Sequence, residues 1–157
     1  MSSDTTTFLL NALPPVLWGG LACGALDITA ALVVYRFFGA KPIRLLQGIA
    51  CGLLGPRVFD GRLATALLGL VCHFFIAFSA ATVYFGISRV LPFIVEHAVL
   101  SGALYGVAVY FFMNRIVVPL SAATKHPFSF KMMVIGVVIH IFCVGLPIAI
   151  AVRGFSS

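Results

Sequence analysis

The sequence predicts an all-α membrane protein, a bundle of four transmembrane helices, and three observations carry that reading. Of its 157 residues, 62% are hydrophobic and only 9% charged, whereas a water-soluble domain carries roughly 25% charged residues. The apolar residues gather into four runs, each near the 20 or so residues that a helix rising 1.5 Å per residue needs to cross a bilayer. The basic residues fall on alternate connections between those runs, as membrane topology requires.

The predicted spans cover about 15–38, 63–90, 95–118 and 132–152, each bounded by charge, proline or glycine. The preceding tail, Met1 to Asn11, carries Asp4 and no Lys or Arg. It lacks the basic n-region of a cleaved signal peptide, so the first span is expected to be retained. The run Gly20-Leu21-Ala22-Cys23 departs from a lipoprotein cleavage site in having glycine three residues before the cysteine. Between the first two spans, 43–54 is too short to cross. It sets Leu46, Ile49, Leu53 and Leu54 against Arg44, Gln47 and Cys51. That pattern predicts a helix lying along the interface; Gly48 and Gly52 leave a re-entrant half-helix as the rival.

The net charge of +6 makes no basic face or arm, so nucleic acid is not an expected partner, and the bilayer is. Arg36, Lys41, Arg44, Arg57 and Arg62 flank the first connection and Arg115, Lys125 and Lys131 the third, against Arg89 and Arg153 on the other side. The basic side is therefore expected to be cytoplasmic and both termini outside. Trp18, Tyr84 and Phe93 near the outer ends, with Tyr35, Phe37 and Phe128 near the inner ones, suit interfacial aromatic belts. The four cysteines, Cys23, Cys51, Cys72 and Cys143, have no CxxC spacing and read as small hydrophobes rather than a disulfide framework or a zinc site.

An internal repeat is also legible. Gly69 to Phe75 matches Gly136 to Phe142 in the glycine, the histidine and the final phenylalanine. Gly24-Ala25-Leu26 in the first span corresponds to Gly102-Ala103-Leu104 in the third. Both of these spans carry GxxxG, at Gly20 and Gly24 and at Gly102 and Gly106. Each half crosses and returns, so two similar hairpins in parallel repeat are expected. The stretches GGLACGALD, LQGIACGLLGP, LGLVCHFFIAF, NRIVVPLSA and HIFCVGLPIAI resemble a group of small uncharacterised bacterial four-span inner-membrane proteins. The resemblance covers most of the chain and implies a bacterial inner membrane. It implies no activity and no site residue.

Three polar residues fall inside the spans. Asp27 lies about twelve residues, or ~18 Å, into the first span, where an unpaired aspartate costs about 2.5 to 3.5 kcal/mol by insertion scales. It shares a stripe of small residues with Gly20, Gly24 and Ala31, a surface suited to close helix packing. His73 lies about 16 Å from Arg62 and His140 about 13 Å from Lys131 along their helices, so all three are expected at similar depth. Pro147 cannot donate to the carbonyl of Cys143 and is expected to kink the fourth helix.

Several functions follow. A buried Asp27, His73 and His140 cluster suits a small proton- or cation-linked transporter or channel-like protein, with a homo-oligomer widening the pathway. Packing of the GxxxG faces within a larger membrane complex suits an accessory or scaffold protein, in which the three residues only fix helix register. His73 and His140 could also supply two axial ligands to one haem b, with Gly69 and Gly136 making room for the ring. No other cofactor or metal is specified. The chain lacks GxSxG, HExxH and paired carboxylates, so hydrolytic chemistry has the least support. Glu96 and His97 at the outer end, and Asn114 and His126 near the inner side, read as solvated or as entrance residues.

Overall fold

In a computed structural model the chain is helical nearly throughout, with no strand among the described residues, which are 2–125 and 127–156, with side chains from 10 onward. His126 lies outside that set. Helices are what a bilayer permits, because each satisfies its own backbone N–H and C=O groups without water. Helix α1 runs over Ser2–Phe37, α2 over Pro42–Leu54 and α3 over Arg62–Val90. Two further long helices, α4 over Ala98–Leu120 and α5 over Phe130–Gly154, follow. Four segments are long and apolar enough to cross a membrane: Leu10–Phe37 of α1, and α3, α4 and α5. Their ends lie within a few residues of the sequence expectation, except that α1 extends back through the polar N-terminal tail. Pro14 and Pro15 lie within it.

In the bundle α1 packs on α3 and on α5, α5 packs also on α4 and touches α3, and α2 packs on the half of α3 nearest the basic connections. Glycines set these approaches. Gly20 and Gly24 of α1 face the rings of Phe78 and Phe74 on α3, while Gly19 meets Ile148 and Ala151 on α5. Gly102 and Gly106 of α4 lie against the backbone of α5, at Gly145 and His140, so closely that a methyl group at Gly106 or Gly145 would strike main chain and one at Gly102 would strike the Ala149 side chain. Such contact is how helices associate in lipid, where apolar surface alone gives no drive for them to meet. Gly39 and Gly55, at φ 82 and 74, turn the chain into and out of α2 in a backbone region that side chains disfavour.

The core lies toward the end of the bundle that carries the chain termini. Cys23, Ala77, Ala81, Tyr84, Ile148 and Val152 are buried together there. Large apolar side chains face outward, with Trp18, Val71, Phe75, Leu104, Phe142 and Ile150 all largely exposed, as suits a surface solvated by lipid tails.

Two expectations need correction. Tyr84 is not in an interfacial belt but is 2% exposed in the core. Its hydroxyl finds Ser101 Oγ at 2.8 Å, which satisfies the polar tip that would otherwise hold it at the interface. The polar edge of α2, expected to be its wet face, is its protein face: Gln47, Ala50 and Cys51 are buried, whereas Ile43, Leu53 and Leu54 are exposed. Gln47 points inward because it has work there. Its Nε2 donates to the carbonyl of Arg62 at 2.9 Å and to Thr65 Oγ1 at 3.1 Å, beside the Arg62 backbone at φ 52.

Candidate functional site

Asp27 sits on α1 four residues after Cys23 and three after Gly24. Cys23 belongs to the face packed with α5 residues such as Val144 and Ile148, and Gly24 to the face packed on Phe74 and Ala77 of α3. At 100° per residue the Asp27 position falls between those two faces. The residue is half-buried, and Cys23 and Cys143 both lie within electrostatic reach of its carboxylate. Among the described residues, no hydrogen bond or ion pair reaches that carboxylate.

Opposite it, α5 is not a regular α-helix. Over His140–Gly145 the helix widens to a π turn, and the Leu146 N–H reaches back to the Ile141 carbonyl. Proline at 147 has no N–H to give. The Phe142 carbonyl is thereby left without its usual donor, Leu146, and the Cys143 carbonyl without its own, Pro147. The same device recurs in α4, where a π turn over Met113–Val117 precedes Pro119 and the Val118 N–H reaches Met113. The interruption in α5 includes Cys143, so helix-freed carbonyls lie on the segment that senses the Asp27 charge.

The two histidines are held by backbone rather than by Asp27. His73 Nε2 lies 2.9 Å from the Gly24 carbonyl of α1; a carbonyl only accepts, so Nε2 carries the proton and Nδ1 holds the lone pair when the ring is neutral. His140 Nδ1 lies 2.9 Å from the Gly136 carbonyl of its own helix, which leaves Nε2 as the free nitrogen. The Tyr110 ring meets the His140 ring edge-on, with centroids 5.3 Å apart. Gly24 is one turn from Asp27, and Cys143, which feels the Asp27 charge, is one turn from His140. His73 thus meets α1 one turn on the terminal side of Asp27, while His140 lies one turn from Cys143 on the side of the basic connections, and no hydrogen bond joins any two of the three polar residues among the described residues. No group of three His, Cys, Asp or Glu side chains able to hold a metal occurs among those residues. His73 and His140 are on helices that pack on different faces of α1, and His73 Nε2 is committed to the Gly24 carbonyl, so in this conformation it is not offered as an axial haem ligand.

The glycines paired by the internal repeat have different neighbours. Gly69 faces the Leu46 carbonyl on α2, and Gly136 faces the Tyr110 ring on α4. Glu96 and His97 lie at the end of the bundle that carries the termini, where His97 stacks on Phe93 with ring centroids 4.2 Å apart. Asn114 is exposed, and its amide donates to the Tyr110 carbonyl at 2.9 Å.

Sequence reasoning missed a group of hydroxyls in the core. Ser101 Oγ donates to the Ile94 carbonyl at 2.6 Å and pairs with Tyr84. Tyr105 stacks edge-on against Tyr84 and donates to the Ala80 carbonyl at 2.7 Å. Tyr105 also lies within electrostatic reach of Cys23, which is one helical turn from Asp27 on α1. The available signal was Tyr84 and Ser101 falling within apolar runs, but its meaning depends on helix rotation. Compared with protein families, curated proteins and solved structures, the chain matches none.

Proposed function

We propose that the protein is a small proton- or cation-linked membrane transporter or channel-like protein whose loading group is the Asp27 carboxylate. One observation carries this reading: a half-buried carboxylate within a membrane-length helix, without a hydrogen-bond or ion-pair partner among the described residues, sensed by a residue of an interrupted helix. An ionisable group at such depth is costly and marks an ion or proton pathway more often than a packing contact. Interrupted helices with freed carbonyls are where transporters bind coupling ions. In this reading the cation or proton is neutralised at Asp27, the Phe142 and Cys143 carbonyls supply further oxygen ligands, and His73 Nδ1 and His140 Nε2 accept protons.

The finer architecture belongs to the same proposal. The two halves are related hairpins in parallel repeat, which is supported by Gly20 and Gly24 facing α3 just as Gly102 and Gly106 face α5. The outward apolar residues of α2 favour its immersion in the membrane as a re-entrant element over a position on the interface. The distribution of Lys and Arg supports both termini outside, and the resemblance carried by the stretches quoted above supports a bacterial inner membrane. Four helices enclose little space, so a homo-oligomer completes the pathway.

The test is flux in proteoliposomes loaded with a pH-sensitive dye or a cation indicator. The Asp27→Asn variant should lose at least about tenfold of the wild-type flux, the scale of losing one charge-assisted interaction. Flux equal in wild type and Asp27→Asn would overturn the reading in favour of an accessory protein.

A further inference from the structure

A second site lies at the end of the bundle that carries the termini. Leu10 begins the first span, Val90 ends the second and Gly154 ends the fourth, so these three helix ends define the level at which a bilayer passes from hydrocarbon to headgroups. At that level a cleft of about 360 Å³ opens between α1, the last turn of α3 and the residues after α5. Its walls include the apolar side chains of Leu10, Pro14, Phe85 and Phe155, and its polar lining includes Arg89 and Asn11.

We propose that this cleft binds the phosphate of a phospholipid headgroup, with Arg89 as the anchoring cation and Asn11 as a further donor. Among the described residues no acidic side chain lines the cleft, and no ion pair neutralises Arg89. Its guanidinium lies over the Phe85 ring, 6.0 Å from the centroid, which holds the charge at the cleft wall rather than in free solvent. A guanidinium offers a planar fork of N–H donors that matches two phosphate oxygens. The apolar walls fit the first methylenes of the acyl chains, and the volume falls within the range of small-ligand pockets. Phosphate, rather than another anion, is the choice because it is the charged group that a bilayer presents at this depth.

The test uses delipidated protein in neutral detergent and two probes, a short-chain phosphatidylglycerol below its micelle concentration and inorganic phosphate. Wild type should retain one lipid per chain in native mass spectrometry and gain several degrees of thermal stability on adding lipid. Arg89→Gln should bind that lipid about tenfold more weakly, as expected for loss of a charge-assisted pair. Arg153→Gln, which removes a cation from the same end but outside the cleft, should bind as wild type does. Equal lipid affinity in Arg89→Gln and wild type would overturn the site. An equal loss in Arg153→Gln would replace it with diffuse charge attraction, and full stabilisation by inorganic phosphate alone would overturn the lipid as the ligand.

Discussion

His73 Nε2 donates to the Gly24 carbonyl across the interface of α3 and α1, at 2.9 Å and one helical turn from Asp27. The Gly24 carbonyl belongs to a helical backbone, so the histidine adds a bond to a main chain that already has its own ladder. That one bond ties the second span to the first and sets the imidazole tautomer, with Nδ1 as the nitrogen that holds the lone pair.

Replacing His73 with leucine should therefore cost little stability. Hydrogen bonds between helices in a membrane contribute about 0.6 kcal/mol on average, and the loss in a denaturant titration should lie near that value. Flux should fall much further than stability does, because the titratable nitrogen goes with the bond. A variant with normal flux would show His73 to be a packing residue only.

Gly145→Ala should be far more damaging. Its added methyl group would strike the Gly102 carbonyl, and Gly106 backbone atoms lie close behind it. Main chain cannot rotate away as a side chain can, so α4 must move off α5, at a cost of about 1 to 3 kcal/mol. Gly48→Ala is the matched control, since nothing lies within 4 Å of that position. It should be neutral or more stable by up to about 1 kcal/mol, the helix preference of alanine over glycine. Thermal unfolding in one detergent measures both.

Gln47→Leu removes two hydrogen bonds at the corner between α2 and α3 and should lower stability by about 1 to 2 kcal/mol. Gln47→Glu should be worse. A carboxylate only accepts, and at this 2% exposed position it would face the Arg62 carbonyl, another acceptor, with its charge out of water. Faster proteolysis in the 55–61 connection, in the order wild type, Leu, Glu, is the expected readout.

The pair of Tyr84 and Ser101 should be coupled. Tyr84→Phe and Ser101→Ala each break the 2.8 Å bond between them, so the double variant should be less damaged than the sum of the two by about 0.5 to 1 kcal/mol. Tyr105→Phe removes a different bond, to Ala80, and should itself cost about 1 kcal/mol. Additive losses for Tyr84 and Ser101 would mean that their hydroxyls do not pair in the folded protein.

Pro147→Ala tests the interrupted helix directly. The new N–H can serve a carbonyl that the proline leaves open, allowing the π turn over His140–Gly145 to close into a regular helix. Stability should hold or rise while flux falls, because an oxygen used by the backbone no longer serves an ion. Unchanged flux would separate the π turn from the transport pathway.

The sequence by itself determined that this chain has four membrane-length helices, and it located them to within a few residues, because the cost of placing charge in hydrocarbon is local and can be read along a single run. It also singled out Asp27, His73, His140 and Pro147, since polar groups and proline are conspicuous in apolar helices. Only the tertiary structure decided what each of them meets. Whether His73 reaches Asp27 or the Gly24 carbonyl depends on how closely α1 and α3 approach and how each is rotated about its axis, and no local pattern encodes either. The inward turn of Gln47 and the burial of Tyr84 were hidden for a related reason. In water a polar edge predicts the exposed face of a helix, but in lipid the apolar face belongs outside and polar side chains turn toward protein partners, which only the assembled bundle supplies.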